Sequence, residues 1–301
     1  MIPRGRDTVP SFAIVTAAVM WGLWWIPVRQ LDERGLTGDR SSLALYAAAA
    51  LALLPVLALR RNHGLRLDMP ALAAGALFGG MLVAWNHALL VGTVVRVTLL
   101  FYTAPVWATL FGFLFLGDRP TLHRLLGIAL GLVGAAAILG AGPGDLPLPR
   151  NVSDWLAVAG AVMFAGSATI TRRVGETGEL ERTFFAFALA ALMALALVLW
   201  LPGPAPPSGA AWLKNLLPAA LVAVFYLIPL TWLLMWGAGR LAPGRVAILL
   251  LFEVLAAAVS AAILTDEPFG PREWIGGALI LAAAALEGRS APPAAEHPED
   301  A

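Results

Sequence analysis

The chain reads as an all-α, polytopic membrane protein: ten transmembrane helices in two inverted five-helix repeats. Composition is the first reason. Of 301 residues, 59% are hydrophobic and only 13% charged, against about 25% charged in an ordinary globular domain. The second is span length: the apolar stretches run near 20 residues, enough for a helix to cross a roughly 30 Å hydrocarbon core. Backbone polar groups must be paired inside lipid and the alternation of a barrel strand is missing, so these stretches are helices. The third is internal repetition. With an offset of about 143, Ala18, Val19, Met20, Arg29, Glu33 and Gly35 meet Ala161, Val162, Met163, Arg172, Glu176 and Gly178. A second echo pairs Arg96 and Val97 with Arg245 and Val246 at an offset of about 149, then Leu116, Asp118 and Pro120 with Leu264, Asp266 and Pro268 at about 148. One residue is therefore missing from the second copy. A duplicated apolar chain is the signature of a transporter built from structural repeats.

Charges, Pro and Gly punctuate the chain into ten expected helices: Ser11–Val28, Ser42–Leu59, Pro70–Val91, Val97–Leu116, Arg124–Leu139, Trp155–Thr171, Thr183–Leu201, Leu213–Trp236, Val246–Leu264 and Trp274–Leu286. The fifth, sixth and tenth read as short and rich in small residues, which lets helices approach closely. Pro27, Pro105, Pro218 and Pro229 lie inside spans, where each removes a backbone hydrogen bond and kinks its helix.

Lys and Arg set the orientation. With the N-terminus in the cytoplasm, 13 of the 20 basic residues fall on the inside and 7 on the outside, the expected bias. Both termini then lie in the cytoplasm and the protein sits in the cell's inner membrane. Five helices per repeat is an odd number, so the second copy enters upside down: Arg29 ends a helix outside and Arg172 ends one inside. The expected units are residues 1–143 and 144–287, followed by a Pro- and Ala-rich disordered tail over residues 288–301. The first apolar stretch is long, Trp-rich and without a small-residue cleavage site, so it is expected to stay as a helix.

Few polar groups lie at depth. Glu253 stands eight residues past Arg245 in an apolar run, roughly 10 Å deep at about 1.5 Å per residue. A carboxylate there faces a cavity or a partner; it either couples a proton or binds a substrate ammonium, or it makes a structural hydrogen bond. Asn86 and His87 sit together in the third helix, about 100° apart around it, so both cannot face one point. Trp21, Trp24 and Trp25 form an aromatic stripe with Val28, open to a packing or a cavity-lining role. Trp21, Trp25, Asn86, His87, Tyr102, Ser167 and Tyr226 are the candidate substrate-binding residues. They are expected around a cavity bounded by the first, third, fourth, sixth, eighth and ninth helices, with the fifth and tenth as packing.

Other chemistries find no support. There is no G-x-x-x-x-G-K-[ST] loop for ATP and no Ser in a G-x-S-x-G setting. No His/Glu or His/His pair has metal-ligand spacing, and with no Cys there is no thiol site or disulfide. No cofactor and no enzymatic activity are expected. A net charge of +1 argues against nucleic acid as a partner.

The segments Ala104-Pro105-Val106 and Leu116-Gly117-Asp118-Arg119-Pro120 resemble the drug/metabolite transporter superfamily, in its ten-helix branch with two EamA-type repeats. There the fourth helix of each repeat carries a Pro-Val pair, an apolar run and Leu-Gly-Glu; Asp118 stands in for the Glu. The second copy often shows Glu-Pro-Val, and here Glu253-Val254 lacks the proline, which accounts for the lost residue. The likeness spans Phe12 to Leu286. Tyr102 ahead of Pro105 and the bulky Phe164 are similar to the amino-acid exporters of the YddG type. The resemblance implies a secondary transporter with a small-molecule substrate and the bilayer as its surroundings. Aromatic spans with little intramembrane charge suit export of neutral or aromatic amino acids; the alternative is export of lipophilic drugs or organic cations, with Glu253 as their partner.

Overall fold

A computed structural model describes residues 7–59, 68–141, 148–175, 178–201, 208–264 and 269–289. The described residues are helical with short connections, and ten helical segments follow one another. The first is α1 (Thr8–Gly22) with α2 (Trp25–Glu33). Then come α3 (Asp39–Leu59), α4 (Met69–Val91), the broken pair α5 (Val94–Phe101) and α6 (Ala104–Leu116), and α7 (Leu122–Ile138). The second half holds α8 (Val152–Val174) and α9 (Glu179–Trp200). The eighth segment joins α10 (Gly209–Val222) through a π-helical turn (Ala223–Leu227) to α11 (Ile228–Ala238). The ninth is α12 (Pro243–Leu250) with α13 (Phe252–Leu264), and α14 (Pro271–Arg289) is the tenth. Among the described residues eight segments are long and apolar enough to cross a membrane, and α7 is a shorter apolar helix.

Several expectations need correction. The first, fourth, eighth and ninth spans are not continuous α-helices. Pro27 cannot donate to the Leu23 carbonyl, which instead accepts from Ile26 N at 3.1 Å. Pro105 likewise stands in the first turn of α6, and Thr103 N turns back to Leu100 O at 3.2 Å. Upstream of Pro229 the π turn absorbs the mismatch, with Ile228 N reaching back to Ala223 O. The ninth span breaks at Leu251 without any proline, its N–H bonding Ile248 O at 3.2 Å. The sixth helix is not short: α8 runs 23 residues, because the Asn151 side chain accepts from Asp154 N and carries the N-terminus back past Trp155. α14 continues through residues assigned to the tail as far as Arg289; the rest of the tail, like Glu176, Asp266 and Pro268 of the sequence echoes, lies outside the described residues.

Packing is symmetric under exchange of the halves. α4 lies on α8 as α11 lies on α1, and α4 meets α9 as the α10–π turn region meets α3. α6 touches α8 as α12 and α13 touch α1. The pairs α3·α9, α6·α12 and α7·α14 map onto themselves, so the pattern of contacts is pseudo-two-fold. Small residues make these approaches possible. A Cβ on Gly79 would lie 2.5 Å from the Ala186 carbonyl oxygen, and one on Gly276 2.5 Å from that of Gly134. Outward, Phe113, Phe115, Trp200, Phe225 and Trp274 are exposed, the apolar coat of a chain whose solvent is lipid.

Buried ion pairs pin the helix ends. Arg124 on α7 donates through Nη2 to Glu287 on α14 at 3.0 Å, with both side chains buried. Arg96 on α5 donates through Nε to Asp154 on α8 at 2.7 Å, and Asp154 also accepts from Arg150 N at 2.8 Å. Removing one partner of such a pair strands the other charge, at a cost of about 3–5 kcal/mol. Glu287→Ala is therefore expected to lower the melting temperature in mild detergent by many degrees. Gly276→Leu, which drives a side chain into backbone, should do the same, whereas Gly209→Ala, with nothing within 4 Å, should leave it unchanged.

Candidate functional site

Three of the four interruptions converge. The break of the first span sets Trp21, Trp24 and Trp25 on the two sides of a turn. The break of the fourth leaves Tyr102 at the end of α5, and that of the ninth puts Glu253 in the first turn of α13. Around them lies a cavity of about 590 Å³, lined among others by Trp21, Trp25, Asn86, Thr98, Tyr102 and Glu253. Its lining runs on to Arg29, Leu89, Leu139 and Ala262, so its mouth is on the face that holds the C-terminal ends of the first, third, fifth and ninth spans.

At the floor, the Tyr102 hydroxyl donates to Glu253 Oε1 at 2.6 Å. Both residues are only 7% exposed, and the bond joins the first half of the chain to the second. α1 closes against the same point: a Cβ on Gly22 would lie 2.3 Å from the Glu253 carbonyl oxygen. Below the floor is a small apolar crevice of about 30 Å³ walled by Phe78, Phe101 and Phe164. Trp21, Tyr102 and Glu253 face both spaces and so form the partition between them.

The walls are aromatic and held in place. Trp25 Nε1 donates to Ser260 Oγ at 3.1 Å, and Ser260 donates onward to Ala257 O at 2.9 Å. Trp85 lies against Phe101 with ring centroids 4.4 Å apart. Trp21 stacks on Trp24 at 6.5 Å and Trp24 on Tyr226 at 5.9 Å. Asn86 Nδ2 donates to the Tyr46 hydroxyl, which is buried in α3.

The opposite face carries ion pairs. Arg245 meets Asp7 at 3.1 Å, Arg240 meets Glu179 at 3.3 Å, and Arg172 donates to Gly239 O at 3.2 Å. Arg240 also lies 4.2 Å over the Trp236 ring. Beyond the end of α6, burial pushes the Asp118 carboxyl above its usual range against the pull of Arg124 and Arg172. Among the described residues no three His, Asp or Glu side chains gather to hold a metal ion.

The structure brings together Trp21, Trp25, Asn86, Tyr102 and Glu253. It does not bring His87, Ser167 or Tyr226 to the cavity. His87 Nδ1 faces Asp39 Oδ2 at 3.0 Å, turned away from Asn86 by the 100° that separates neighbours on a helix. The Ser167 hydroxyl is 1% exposed and donates to Ala74 O at 2.8 Å, a packing bond between α8 and α4. Tyr226 sits behind Trp24 and donates to Met20 O near the first break. The sixth and eighth spans thus support the walls rather than form them, while the end of the fifth and the start of the tenth, expected to be packing alone, reach the mouth through Leu139 and Glu273. Sequence reasoning missed Arg29, Thr98, Trp85, Ser260 and Glu273. Arg29 follows Trp21 and Trp25 at successive steps of four, so the stripe already pointed to it. No local signal pointed to Glu273 or Ser260.

Comparison with known proteins agrees with this architecture. A solved structure described as "Crystal structure of protein" matches with a TM-score of 0.73 over 95% of this chain and 98% of its own, at 23% identity, which speaks for the fold. A curated relative from Streptantibioticus cattleyicolor, named a probable terminal-alkyne amino-acid exporter, is 32% identical over 174 residues, 54% of this chain and 57% of that protein. The matched region thus spans little more than half of that relative's length. The EamA-like transporter family model matches twice, over residues 9–140 and 151–287. With both halves matched, the chain belongs to the EamA-like transporter family, and it is a membrane transporter of that type.

Proposed function

We propose that this transporter exports small metabolites, foremost neutral and aromatic amino acids, by alternating access through the central cavity between two inverted repeats. One observation carries the reading: a cavity of about 590 Å³ with indole walls and a carboxylate at its floor. Such a site has a few convergent polar groups on apolar walls, the composition of a small-molecule pocket. The substrate ammonium meets Glu253, the apolar body lies between Trp21, Trp25 and Trp85, and the carboxylate points back toward the mouth, where Arg29 stands. The curated relative's name, an amino-acid exporter, supports the same class.

The pseudo-two-fold packing and the odd helix count support inverted repeats. With both termini in the cytoplasm, the mouth opens outward and the ion-paired face closes the cytoplasmic side. Export then requires the opposite state, in which the pairs Asp7–Arg245 and Glu179–Arg240 separate while the wall aromatics close the mouth. Nothing in this cycle calls for a bound cofactor.

In proteoliposomes holding the purified protein, counterflow of labelled phenylalanine or leucine is expected, with weak or no counterflow of cationic dyes. Dye transport without amino-acid transport would replace this reading by export of lipophilic cations. Glu253→Gln keeps an acceptor for Tyr102 but no charge for an ammonium. A hydrogen bond to a charged group contributes about 1.5–3 kcal/mol, so this variant should fold normally and lose at least tenfold in apparent affinity. Normal transport by Glu253→Gln would confine the carboxylate to a structural role. Glu253→Ala also leaves the Tyr102 hydroxyl unpaired and should lose stability by about 1–3 kcal/mol as well.

A further inference from the structure

The central cavity has a neighbour at its mouth. Beside it, between α13 and α14, lies a second space of about 620 Å³. Its lining is apolar apart from Glu273, and it shares Ala262, Phe269 and Glu273 with the central cavity. The groove faces outward: Ile263 and Trp274 on its edges are 72% and 70% exposed, on the surface that meets lipid. Its two helices touch at Leu255 and Gly277, where a Cβ on Gly277 would come within 3.0 Å of Leu255 Cδ1. Trp274 is braced edge-on by Phe269 at 5.3 Å. The Glu273 carboxylate accepts from Gly270 N at 2.7 Å, so this charge is already engaged.

Glu253 and Ala262 are nine residues apart on one helix, roughly 13 Å at about 1.5 Å per residue. A compact amino acid held at Glu253 ends inside the cavity. A longer apolar chain reaches Ala262, where it continues either through the mouth into water or sideways into the groove. The groove removes that chain from water, so the sideways course is the favoured one.

We propose that the groove is a subsite for the hydrocarbon tail of an amphipathic substrate, so that the protein exports amino acids with long, unbranched apolar side chains as well as compact ones. The inference rests on the amino-acid reading above and extends it to a chain-length preference. The indole walls near Glu253 hold the first part of the chain. Ala262 and Phe269 form the threshold, and Val259, Trp274 and Ala278 flank the outer part.

The test is competition for leucine counterflow by straight-chain α-amino acids from norvaline to 2-aminododecanoic acid, with the full-length protein in proteoliposomes. Burying each further methylene is expected to improve apparent affinity roughly fourfold, with the gain continuing through the longest members. Ala278→Trp and Val259→Trp, which fill the groove without touching the cavity, should leave norvaline unchanged and abolish the added gain of the long members. Two results would overturn the groove while leaving the amino-acid reading intact. One is a series that stops improving at intermediate length in the wild type. The other is groove variants that weaken short and long members alike, the mark of a groove filled by membrane lipid. If leucine itself shows no counterflow, the amino-acid reading falls and this inference falls with it.

Discussion

The structure turns on a carboxylate placed where a helix is interrupted. Glu253 lies inside an apolar span, where an unpaired carboxylate is costly, and it is paired by the Tyr102 hydroxyl at 2.6 Å. Tyr102 itself ends α5 at the corresponding interruption of the first half. One hydrogen bond therefore links the two breaks, and through them the two halves of the chain. The freed backbone groups at such breaks are tolerated at membrane depth only beside a cavity or buried in protein, which is where all of these lie. Gly22 completes the arrangement, because only a residue without a Cβ lets α1 approach the Glu253 carbonyl.

The same devices recur at both ends of the pseudo-symmetric frame. Arg96 pairs with Asp154 near the start of the sixth span, and its counterpart Arg245 pairs with Asp7 near the start of the first. The two differ in setting. The first pair is nearly sealed, with side chains 9% and 1% exposed, while the second is 16% and 40% exposed. The second pair therefore stands closer to water, above all on its Asp7 side. The buried pair lies on the face where the cavity is open and is held by further backbone bonds from Leu148 and Arg150.

Much of this was legible in the sequence because lipid imposes simple rules. Span length and the isolation of Glu253 in apolar sequence both follow from the energetics of the bilayer core, and the two halves echo each other residue by residue. Pro105 marked the break of the fourth span. Other features depend on which way a side chain turns, and composition is silent about that. Asn86 reaches the cavity and His87 does not, although they are neighbours on one helix. Ser167 and Tyr226 are polar residues at depth, yet their hydroxyls are taken by backbone carbonyls of neighbouring helices. The ninth span breaks at Leu251 although no proline stands there to mark it. Glu273 comes to the mouth only through the docking of α14 on α7, a tertiary event with no local mark.

The bond between Tyr102 and Glu253 ties the two halves together, and a double-mutant cycle measures it directly. Tyr102→Phe, Glu253→Ala and the double variant would be compared with the parent by unfolding in mild detergent. Each single change leaves a buried polar group without its partner, and the double change removes both. The stability losses should then fall short of additivity by at least about 1 kcal/mol. Losses that add within about 0.3–0.5 kcal/mol, the behaviour of independent sites, would contradict a bond that holds the two halves together.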